Sequence, residues 1–224
     1  MKDRYIRNIP ALSEEECALL QSKHVCVVGC GGLGGSIIDQ LARIGVGTIT
    51  VVDDDVFDVT NLNRQLLSSE PVIGRSKTQV ALEHVGQINS EVVVHAIQTR
   101  FTEENGAHLL ETCDVVIDAL DNIEGRKILA DACANKNIKM VHGAISGWFA
   151  QVAVIEPGSG VLDTLYPAHI DTLTSQGNLA FVAGTCASIQ VAEAIKVLCG
   201  RESTLSGKML VMNLDDMEFT TIEL

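Results

Sequence analysis

The sequence predicts an α/β fold with an open, doubly wound sheet that is parallel in its N-terminal half, mixed toward its C-terminus, and covered by helices on both faces. Three observations support this prediction. Short β-branched apolar runs alternate with stretches of helical periodicity, as in successive βαβ units. Two later runs, 140–145 and 149–155, leave no room for a crossover helix, which makes the sheet mixed. A last pair of runs, 208–213 and 218–222, has hairpin spacing.

The predicted elements follow in order along the chain. Ser13 and Glu16 form a capping-box pattern that begins a short helix after an exposed basic arm. Residues 156–177 are rich in Gly, Pro, Asp and Thr and are predicted to form a long loop. The predicted strands before the mixed region are 24–28, 48–53, 92–97 and a strand beginning at Val115, and the predicted helices are 13–21, 36–44, 76–89, 102–112, 124–137 and 181–198.

Length and charge limit the class of protein. The 224 residues suffice for one α/β domain over 1–224, with an N-terminal arm at 1–12. A net charge of −13 and an aromatic content of 4% disfavour nucleic acid as a partner, because such proteins need a basic face or stacking platforms. No uninterrupted membrane-spanning apolar run or signal-peptide core is evident, so we expect a cytoplasmic protein without a membrane partner. Seven scattered cysteines without a C-x-x-C pair fit a reducing compartment.

The first predicted strand ends in a glycine-rich turn. Gly29, Gly31 and Gly34 have the spacing G-x-G-x-x-G, and a helical pattern follows. At such a turn the backbone can approach a phosphate, and the helix N-terminus offers unpaired N–H groups. The motif alone leaves open a tight strand-to-helix turn without a ligand.

A carboxylate ends the second predicted strand. Asp53 lies about twenty residues after the glycine turn, where a carboxylate contacts ribose hydroxyls in dinucleotide-binding folds. This spacing also occurs in dehydrogenases, but the polar stretch 53–65 is atypical of a hydride-transfer enzyme. Arg64 and Lys77 add two cations, which favours chemistry at a phosphate.

The fourth predicted strand also ends in acidic residues. Asp118 and Asp121 follow the apolar run from Val115, and the carboxyl ends of parallel strands share one edge of a sheet. Asp121 is therefore a candidate magnesium ligand. The alternative is that Asp121 and Asn122 only cap the next helix.

Together these motifs resemble the ubiquitin-activating (E1-like) superfamily, specifically the MoeB/ThiF/HesA adenylyltransferases, over nearly the whole chain. The resemblance implies a Rossmann-like fold. Its motifs are Arg4-Tyr5-x-Arg7, Gly29-x-Gly31-Gly32-Leu33-Gly34, Gly45-Val46-Gly47 with Asp53-x-Asp55, Asn61-Leu62-x-Arg64-Gln65, Gly74-x-x-Lys77, Asp118-x-x-Asp121-Asn122 and Glu193-Ala194-Ile195-Lys196.

The resemblance implies a reaction. ATP would adenylate the C-terminal glycine carboxylate of a small ubiquitin-like sulfur carrier ending in Gly-Gly, with release of pyrophosphate. Asp121 would bind Mg²⁺, and Arg7 would act from the partner subunit of a homodimer; with Arg64, Lys77 and Asp121 it makes up the implied catalytic set. The residues implied in nucleotide binding are Gly29, Gly31, Gly32, Gly34, Asp53, Asp55, Asn61, Arg64, Gln65 and Lys77.

The sequence departs from this family at two points. The family's structural zinc needs two C-x-x-C pairs, but Val161 and Thr164 occupy the first pair of positions and the second pair is missing. We therefore expect no zinc. The loop at 163–181 also lacks the cysteine that many relatives carry, and Cys186 is predicted to be a packed small residue. The sulfur would then come from a separate donor.

Three other functions remain open at this stage. One is a tRNA threonylcarbamoyladenosine dehydratase, favoured by Thr60-Asn61-x-Asn63-Arg64-Gln65 and disfavoured by the acidic charge. Another is a nicotinamide-dependent oxidoreductase, which the glycine turn alone would permit. The third is a non-catalytic scaffold that docks a carrier, which the intact Arg64, Lys77 and Asp121 disfavour.

Overall fold

A computed structural model describes residues 3–167 and 176–224 and contains one eight-stranded sheet in the order β3-β2-β1-β4-β5-β6-β7-β8. The first five strands are parallel, whereas the pairs from β5 to β8 are antiparallel. The predicted mixed sheet is therefore confirmed. The strands are β1 His24–Val28, β2 Thr48–Val52, β3 Val93–Ile97, β4 Val115–Asp118, β5 Lys139–Ser146, β6 Phe149–Ile155, β7 Lys208–Asn213 and β8 Glu218–Glu223.

Within residues 3–167 and 176–224, seven α-helices surround this sheet. They are α1 Glu14–Leu20, α2 Gly32–Ile44, α3 Lys77–Ile88, α4 Glu103–Leu109, α5 Ile123–Lys136, α6 Val161–Leu165 and α7 Ala180–Leu198, and three 3₁₀ segments cover Asp3–Asn8, Val59–Asn61 and Glu70–Val72. The predicted capping box is present at α1, where Ser13 Oγ accepts from the Glu16 N–H and Glu16 accepts from the Ser13 N–H.

Successive side chains along a strand point to opposite faces of the sheet, so a separate hydrophobic core forms on each face. Val25 and Val27 of β1 pack into the core that contains α2, α3 and α7. Cys26 and Val28 point the other way, into the core that contains α4, α5 and α6. Both faces of β1 are thus buried, which explains why its sequence is a continuous apolar run rather than an alternating one.

The strand order reverses between β1 and β4. β1 pairs with β2 on one side and with β4 on the other, so the chain leaves β1 and β4 in different directions. In open α/β sheets a crevice forms outside the carboxyl ends of the strands at such a point. The glycine turn follows β1 and Asp121 follows β4, so both lie at this crevice.

The N-terminal arm differs from the predicted exposed arm. Residues Asp3–Asn8 form a 3₁₀ helix, and Tyr5 is buried with 2% of its surface exposed. The Tyr5 hydroxyl accepts a hydrogen bond of 2.8 Å from Asn89 Nδ2, and Arg4 Nη1 donates to Asn89 Oδ1. The arm is therefore docked on the body, although Arg4 and Arg7 remain exposed.

The predicted loop at 156–177 was also partly wrong. Val161–Leu165 forms the short helix α6, and Leu162 is buried in the second core. The helical pattern was too short to separate from a loop by periodicity. The rest of that predicted loop, residues 168–175, lies outside the described part of the chain.

Helix α7 is long and apolar enough to cross a membrane by length and composition. It packs against α2, β5 and β6, and Val182, Ala187 and Ala194 are buried in the first core. The apolar character of α7 is thus explained by its place as a core helix.

Candidate active site

The glycine turn brings β1, α2 and β4 closer together than side chains would allow. Gly29 has φ +101°, and a Cβ there would lie 2.5 Å from the carbonyl oxygen of Ala119. A Cβ at Gly34 would lie 1.8 Å from the carbonyl oxygen of Gly29. Helix α2 begins at Gly32, and its N-cap residue Gly31 has no side chain that could cap the helix. Its first N–H groups, which no helix can satisfy internally, therefore lie at the turn.

Asp53 is held against this turn. Its carboxylate accepts a hydrogen bond of 2.6 Å from the Cys30 N–H and one of 2.8 Å from the Asp55 N–H. Burial raises the pKa of Asp53, and the two backbone donors and Lys77 act in the opposite direction. Each oxygen keeps a free lone pair, so the carboxylate can still accept hydrogen bonds from a ligand's hydroxyl groups.

Lys77 is the buried cation beside these acids. Its side chain is 7% exposed, and Nζ lies 2.8 Å from Asp55 Oδ2. The Lys77 N–H also donates to the Asp55 carbonyl oxygen at 3.1 Å, which joins the start of α3 to the stretch after β2. The sequence-predicted residues Asp53, Asp55 and Lys77 therefore form one cluster.

Asp53, Asp54 and Asp55 could also be considered as a metal site, since one oxygen of each lies within 4.8 Å of the others. Their existing partners argue against it. Asp53 accepts two backbone hydrogen bonds, Asp55 is paired with Lys77, and Asp54 lies 3.4 Å from Arg100 Nε. The three carboxylates are thus already engaged by backbone donors or cations, and Asp53 is better suited to accept hydrogen bonds from a ligand than to hold a metal ion.

The segment after β2 places Arg64 over the first turn of α2. A Cβ at Gly32 would lie 3.6 Å from Arg64 Cγ, so the arginine stem covers that glycine. Arg64 Nη1 donates to the Thr60 carbonyl oxygen at 3.0 Å and to Asn63 Oδ1 at 2.8 Å. The Asn61 side chain holds the bend, because its Oδ1 accepts from the Asp58 N–H at 3.0 Å.

Gln65 lies beside the same turn and is buried, with 6% of its surface exposed. A Cβ at Gly31 would lie 3.6 Å from Gln65 Nε2. Gln65 Oε1 is buried and has no hydrogen-bond partner among the described residues. An unpaired buried acceptor next to free helix N–H groups and two cations fits a ligand that carries both phosphates and hydrogen-bond donors, as a nucleotide does.

Asp121 lies at the edge of this crevice and is exposed. Ala119, two residues before it, donates its N–H to the Val28 carbonyl oxygen at 2.9 Å, so the chain leaves β4 directly beside the glycine turn. The neighbouring Asn122 is the N-cap of α5, with Oδ1 accepting from the Gly125 N–H at 2.8 Å. The capping role therefore belongs to Asn122, and the carboxylate of Asp121 is available to a hard cation.

A buried polar network beneath Asp121 was not predicted from the sequence. Asp118 is fully buried, and its Oδ1 accepts from the Leu120 N–H at 2.9 Å. Arg126, also buried, donates from Nη2 to the Leu120 carbonyl oxygen at 2.7 Å, and its Nε lies 3.6 Å from Asp118 Oδ2. The residue before Asp121 is therefore fixed from both sides.

The network continues away from Asp121. His142 Nδ1 lies 2.7 Å from Asp118 Oδ2, and Tyr166 O–H lies 3.2 Å from His142 Nε2. Arg126 Nη1 donates to the Tyr166 oxygen at 3.2 Å, and Gln151 Nε2 donates to it at 2.7 Å. A neutral imidazole protonated on Nδ1 satisfies these contacts, with Asp118 as its acceptor and Tyr166 as its donor.

Arg7 is far from this crevice in its own chain. Tyr5 packs on Gly45, where a Cβ would lie 2.6 Å from the tyrosine ring, and Gly45 is the C-cap of α2. The glycine turn is at the other end of α2, which at 1.5 Å per residue is about 20 Å away. The structure thus brings together the other predicted site residues but not Arg7.

Cys186 is packed as expected for a small residue. It is fully buried in α7, and its Sγ lies 3.8 Å from the Ala144 carbonyl oxygen and 3.5 Å from that of Gln151. Burial raises the pKa of Cys186 to about 12. A neutral, enclosed thiol has little nucleophilic character.

Comparison with known proteins identifies relatives of this chain. The curated relatives include the SAMP-activating enzyme E1 of Haloferax volcanii, 35% identical over 98% of this chain and 84% of that protein. They also include a probable molybdopterin-synthase adenylyltransferase of Porphyra purpurea, which is 32% identical over 96% of this chain and 59% of that protein. A third is the probable adenylyltransferase/sulfurtransferase MoeZ of Mycobacterium tuberculosis, which is 33% identical over 98% of this chain and 59% of that protein. The chain thus spans less than two thirds of the latter two.

Solved structures share the fold. Escherichia coli MccB, solved with ATP, superposes with a TM-score of 0.82 at 23% identity, over 100% of this chain and 72% of that one. PaaA superposes with a TM-score of 0.79 at 21% identity, over 93% and 66%. The predicted enzyme class, a nucleotidyltransferase, is the class that the adenylyltransferase names share. Residues 3–224 match the ThiF family, and the chain therefore belongs to that family.

Proposed function

We propose that the protein is an ATP-dependent adenylyltransferase that activates the C-terminal glycine carboxylate of a small ubiquitin-like sulfur carrier. The observation that carries this proposal is the crevice in which the free N-terminus of α2 lies between Asp53 and the stem of Arg64. Membership of the ThiF family and relatives named as adenylyltransferases support it. The activated carrier would take part in sulfur transfer for thiamine, molybdopterin or related biosynthesis, and the sulfur would come from a separate donor.

The chemistry suits this site. A carrier carboxylate oxygen forms a bond to the α-phosphorus of ATP while the bond from that phosphorus to the bridging oxygen breaks, and pyrophosphate leaves with the electron pair. The carboxylate is already ionised at neutral pH, so no general base is needed. The barrier arises instead from bringing an anion to a polyanion, and a site with fixed cations and correct alignment lowers it.

Each proposed role follows from a position described above. The backbone at Gly31 and Gly32 would hold a phosphate at the start of α2, and Asp53 would accept hydrogen bonds from the ribose. Lys77 and Arg64 would bind the phosphates, and each is already fixed by neighbours, Lys77 by Asp55 and Arg64 by Thr60 and Asn63. Asn61 and Gln65 would support the same nucleotide.

Asp121 would hold the magnesium ion. Its carboxylate is exposed beside the glycine turn, and a single carboxylate together with phosphate oxygens and waters is a usual Mg²⁺ environment. The ion would neutralise charge on the phosphates. The protein would act as a homodimer in which Arg7 enters the crevice of the partner, because the arm docks through Tyr5 at the C-terminal end of α2, about 20 Å along that helix from the glycine turn.

The test is ATP–pyrophosphate exchange with labelled pyrophosphate and a small β-grasp protein that ends in Gly-Gly. The same protein without its two final glycines is the substrate control. Exchange should need the intact tail, and Asp121→Ala should lower it by orders of magnitude in a folded protein. Asp131→Ala, which removes an exposed carboxylate from α5, the helix that follows Asp121, should leave the exchange rate unchanged.

Two results would contradict the proposal. Undiminished exchange in a folded Asp121→Ala protein would refute the magnesium assignment. ATP turnover that tRNA stimulates and that carrier proteins do not stimulate would favour the dehydratase alternative.

A further inference from the structure

His142 lies beside Asp118 in the sheet, at the carboxyl end of β4. The two residues are register partners in β5 and β4. Their side chains point to the same face, because Met140 and Val116, two residues before each, both lie in the second core. Neither side chain has any exposed surface. The adenylation chemistry described above uses this histidine in no step.

The hydroxyl group of Tyr166 determines which nitrogen of His142 carries the proton. The Tyr166 oxygen accepts from Arg126 Nη1 at 3.2 Å and from Gln151 Nε2 at 2.7 Å, which fills its two acceptor positions. Its own proton then has His142 Nε2, 3.2 Å away, as its acceptor. Gln151 Nε2 also lies 3.1 Å from His142 Nε2 and is a second donor to it. The unprotonated nitrogen is therefore Nε2, and the proton is on Nδ1.

His142 donates this proton to Asp118. Its Nδ1 lies 2.7 Å from Asp118 Oδ2, while Asp118 Oδ1 accepts from the Leu120 N–H at 2.9 Å. Each carboxylate oxygen thus has one short donor, and the two donors together fix the rotation of the carboxylate. Among the described residues, the remaining partner of Oδ2 is Arg126 Nε at 3.6 Å, which is too long for a normal hydrogen bond.

These hydrogen bonds form a closed ring that begins and ends at the peptide groups of Leu120. The ring runs from the Leu120 N–H through Asp118, His142, Tyr166 and Arg126 back to the Leu120 carbonyl oxygen. A histidine that only filled space in the core would need no such ring. The residue that follows Leu120 in the chain is the proposed magnesium ligand.

We propose that His142 is a positioning residue for the magnesium ion of the adenylation reaction. It acts through Asp118 and the Leu120 N–H to hold the backbone that places Asp121 at the crevice. The proposal rests on the proposed function, because it takes Asp121 as the magnesium ligand. Loss of a side chain that orients a metal ligand through hydrogen bonds typically weakens metal binding by about 10- to 100-fold.

Two substitutions separate the two contacts of His142. His142→Asn places an amide N–H near the position of Nδ1 and keeps the hydrogen bond to Asp118, whereas His142→Gln places its amide near Nε2 and keeps the contact with Tyr166. Calorimetric ATP titration in EDTA and at several Mg²⁺ concentrations measures the effect. His142→Gln should raise the Mg²⁺ concentration that gives half-maximal tightening of ATP binding by roughly tenfold, and His142→Asn should stay within about twofold of wild type. ATP binding in EDTA should be the same in all three proteins.

Further variants control for folding and for packing. His108→Gln, at an exposed histidine of α4, is the matched control and should behave as wild type. Tyr166→Phe removes the hydroxyl group from the ring and should raise the Mg²⁺ requirement in the same direction as His142→Gln, so it serves as the test if His142→Gln does not fold. Circular dichroism checks the fold of each variant. Nuclear magnetic resonance of ¹⁵N-labelled histidine should show the His142 proton on Nδ1 in the wild-type protein.

Three results would overturn the proposal. One is an equal Mg²⁺ dependence of the folded His142→Asn and His142→Gln proteins. Another is a loss of ATP affinity in His142→Gln that is the same with and without Mg²⁺, because a packing defect alone would give that result. The third is a His142 ring protonated only on Nε2. Absence of carrier-dependent exchange in the wild-type protein would refute the proposed function instead, since the calorimetric comparison needs no carrier.

Discussion

Arg126 and Asp118 hold the peptide groups of a single residue, Leu120, from opposite sides. Arg126 Nη2 donates to the Leu120 carbonyl oxygen at 2.7 Å, and Asp118 Oδ1 accepts from the Leu120 N–H at 2.9 Å. Both side chains are buried, and Asp121 follows directly in the chain. The position of the proposed magnesium ligand therefore depends on a buried charge pair.

We predict that Arg126→Met lowers the free energy of unfolding by about 3–5 kcal/mol, because it leaves the Asp118 charge buried without its cation. In a protein that remains folded, it should also raise the Mg²⁺ concentration needed for ATP binding. Chemical denaturation and calorimetric ATP titration at several Mg²⁺ concentrations measure the two effects.

The neighbouring Lys127→Met variant is the matched control for Arg126. Lys127 pairs with the exposed Asp163, a surface bridge that contributes at most about 1 kcal/mol. If Arg126→Met and Lys127→Met proved equally stable and equally sensitive to Mg²⁺, the buried pair would not have the role described here.

The features that the sequence predicted and those that it missed differ in how far apart the interacting residues lie in the sequence. The glycine turn, Asp53 and the Ser13 capping box depend on residues close in sequence, and their spacings indicated them. Arg126 and His142 depend on partners that are distant in sequence, such as the contact of Arg126 with Tyr166, 40 residues away. One signal was present: Arg126 shares the buried face of α5 with Leu129 and Cys133.

The arm shows the same limitation. Its Arg-Tyr-x-Arg motif was recognised, but Asn89, the partner of Tyr5, lies 84 residues away. Nothing local marks Tyr5 as buried or Gly45 as the surface that receives it. A sequence pattern can therefore suggest that Arg7 matters without showing how far it lies from its own crevice.

Gly34 offers a test of the tight turn. Gly34→Ala would place a Cβ 1.8 Å from the Gly29 carbonyl oxygen, and backbone atoms cannot move aside cheaply, so we predict a loss of about 1–3 kcal/mol or more. Gly184→Ala in α7 meets nothing within 4 Å and should gain about 0.5–1 kcal/mol, as for glycine in a helix interior. Thermal unfolding measures both, and a Gly34→Ala protein as stable as wild type would show that the turn is less constrained than described.

The protein should contain no stoichiometric zinc. Val161 and Thr164 occupy positions where the family carries one pair of zinc-binding cysteines, and tetrahedral zinc sites need four such ligands. Elemental analysis of protein purified without chelator measures the content. One zinc ion per chain would contradict this expectation.

Arg7 is predicted to act in the crevice of the partner subunit. Within one chain the arm is anchored through Tyr5 at the C-terminal end of α2, about 20 Å from the glycine turn, which exceeds the reach of an arginine side chain. A cation arriving from a partner would offset charge that develops on the departing pyrophosphate. Chains with Arg7→Ala and chains with Asp121→Ala should therefore each be nearly inactive alone.

Mixing these two inactive chains distinguishes an arm that acts in the partner's crevice from an arm that acts in the crevice of its own chain. In a heterodimer, the Arg7→Ala chain contributes an intact Asp121 and its partner contributes an intact arm, so one of the two crevices is complete. With random pairing about half of the dimers are mixed, and roughly a quarter of the wild-type exchange rate should return. Mixing the Arg7→Ala chain with a chain that carries both substitutions should restore nothing, because no intact arm is present. If the arm acts within its own chain, the mixture of Arg7→Ala and Asp121→Ala chains would not recover activity. A fully active Arg7→Ala protein would show that Arg7 has no catalytic role.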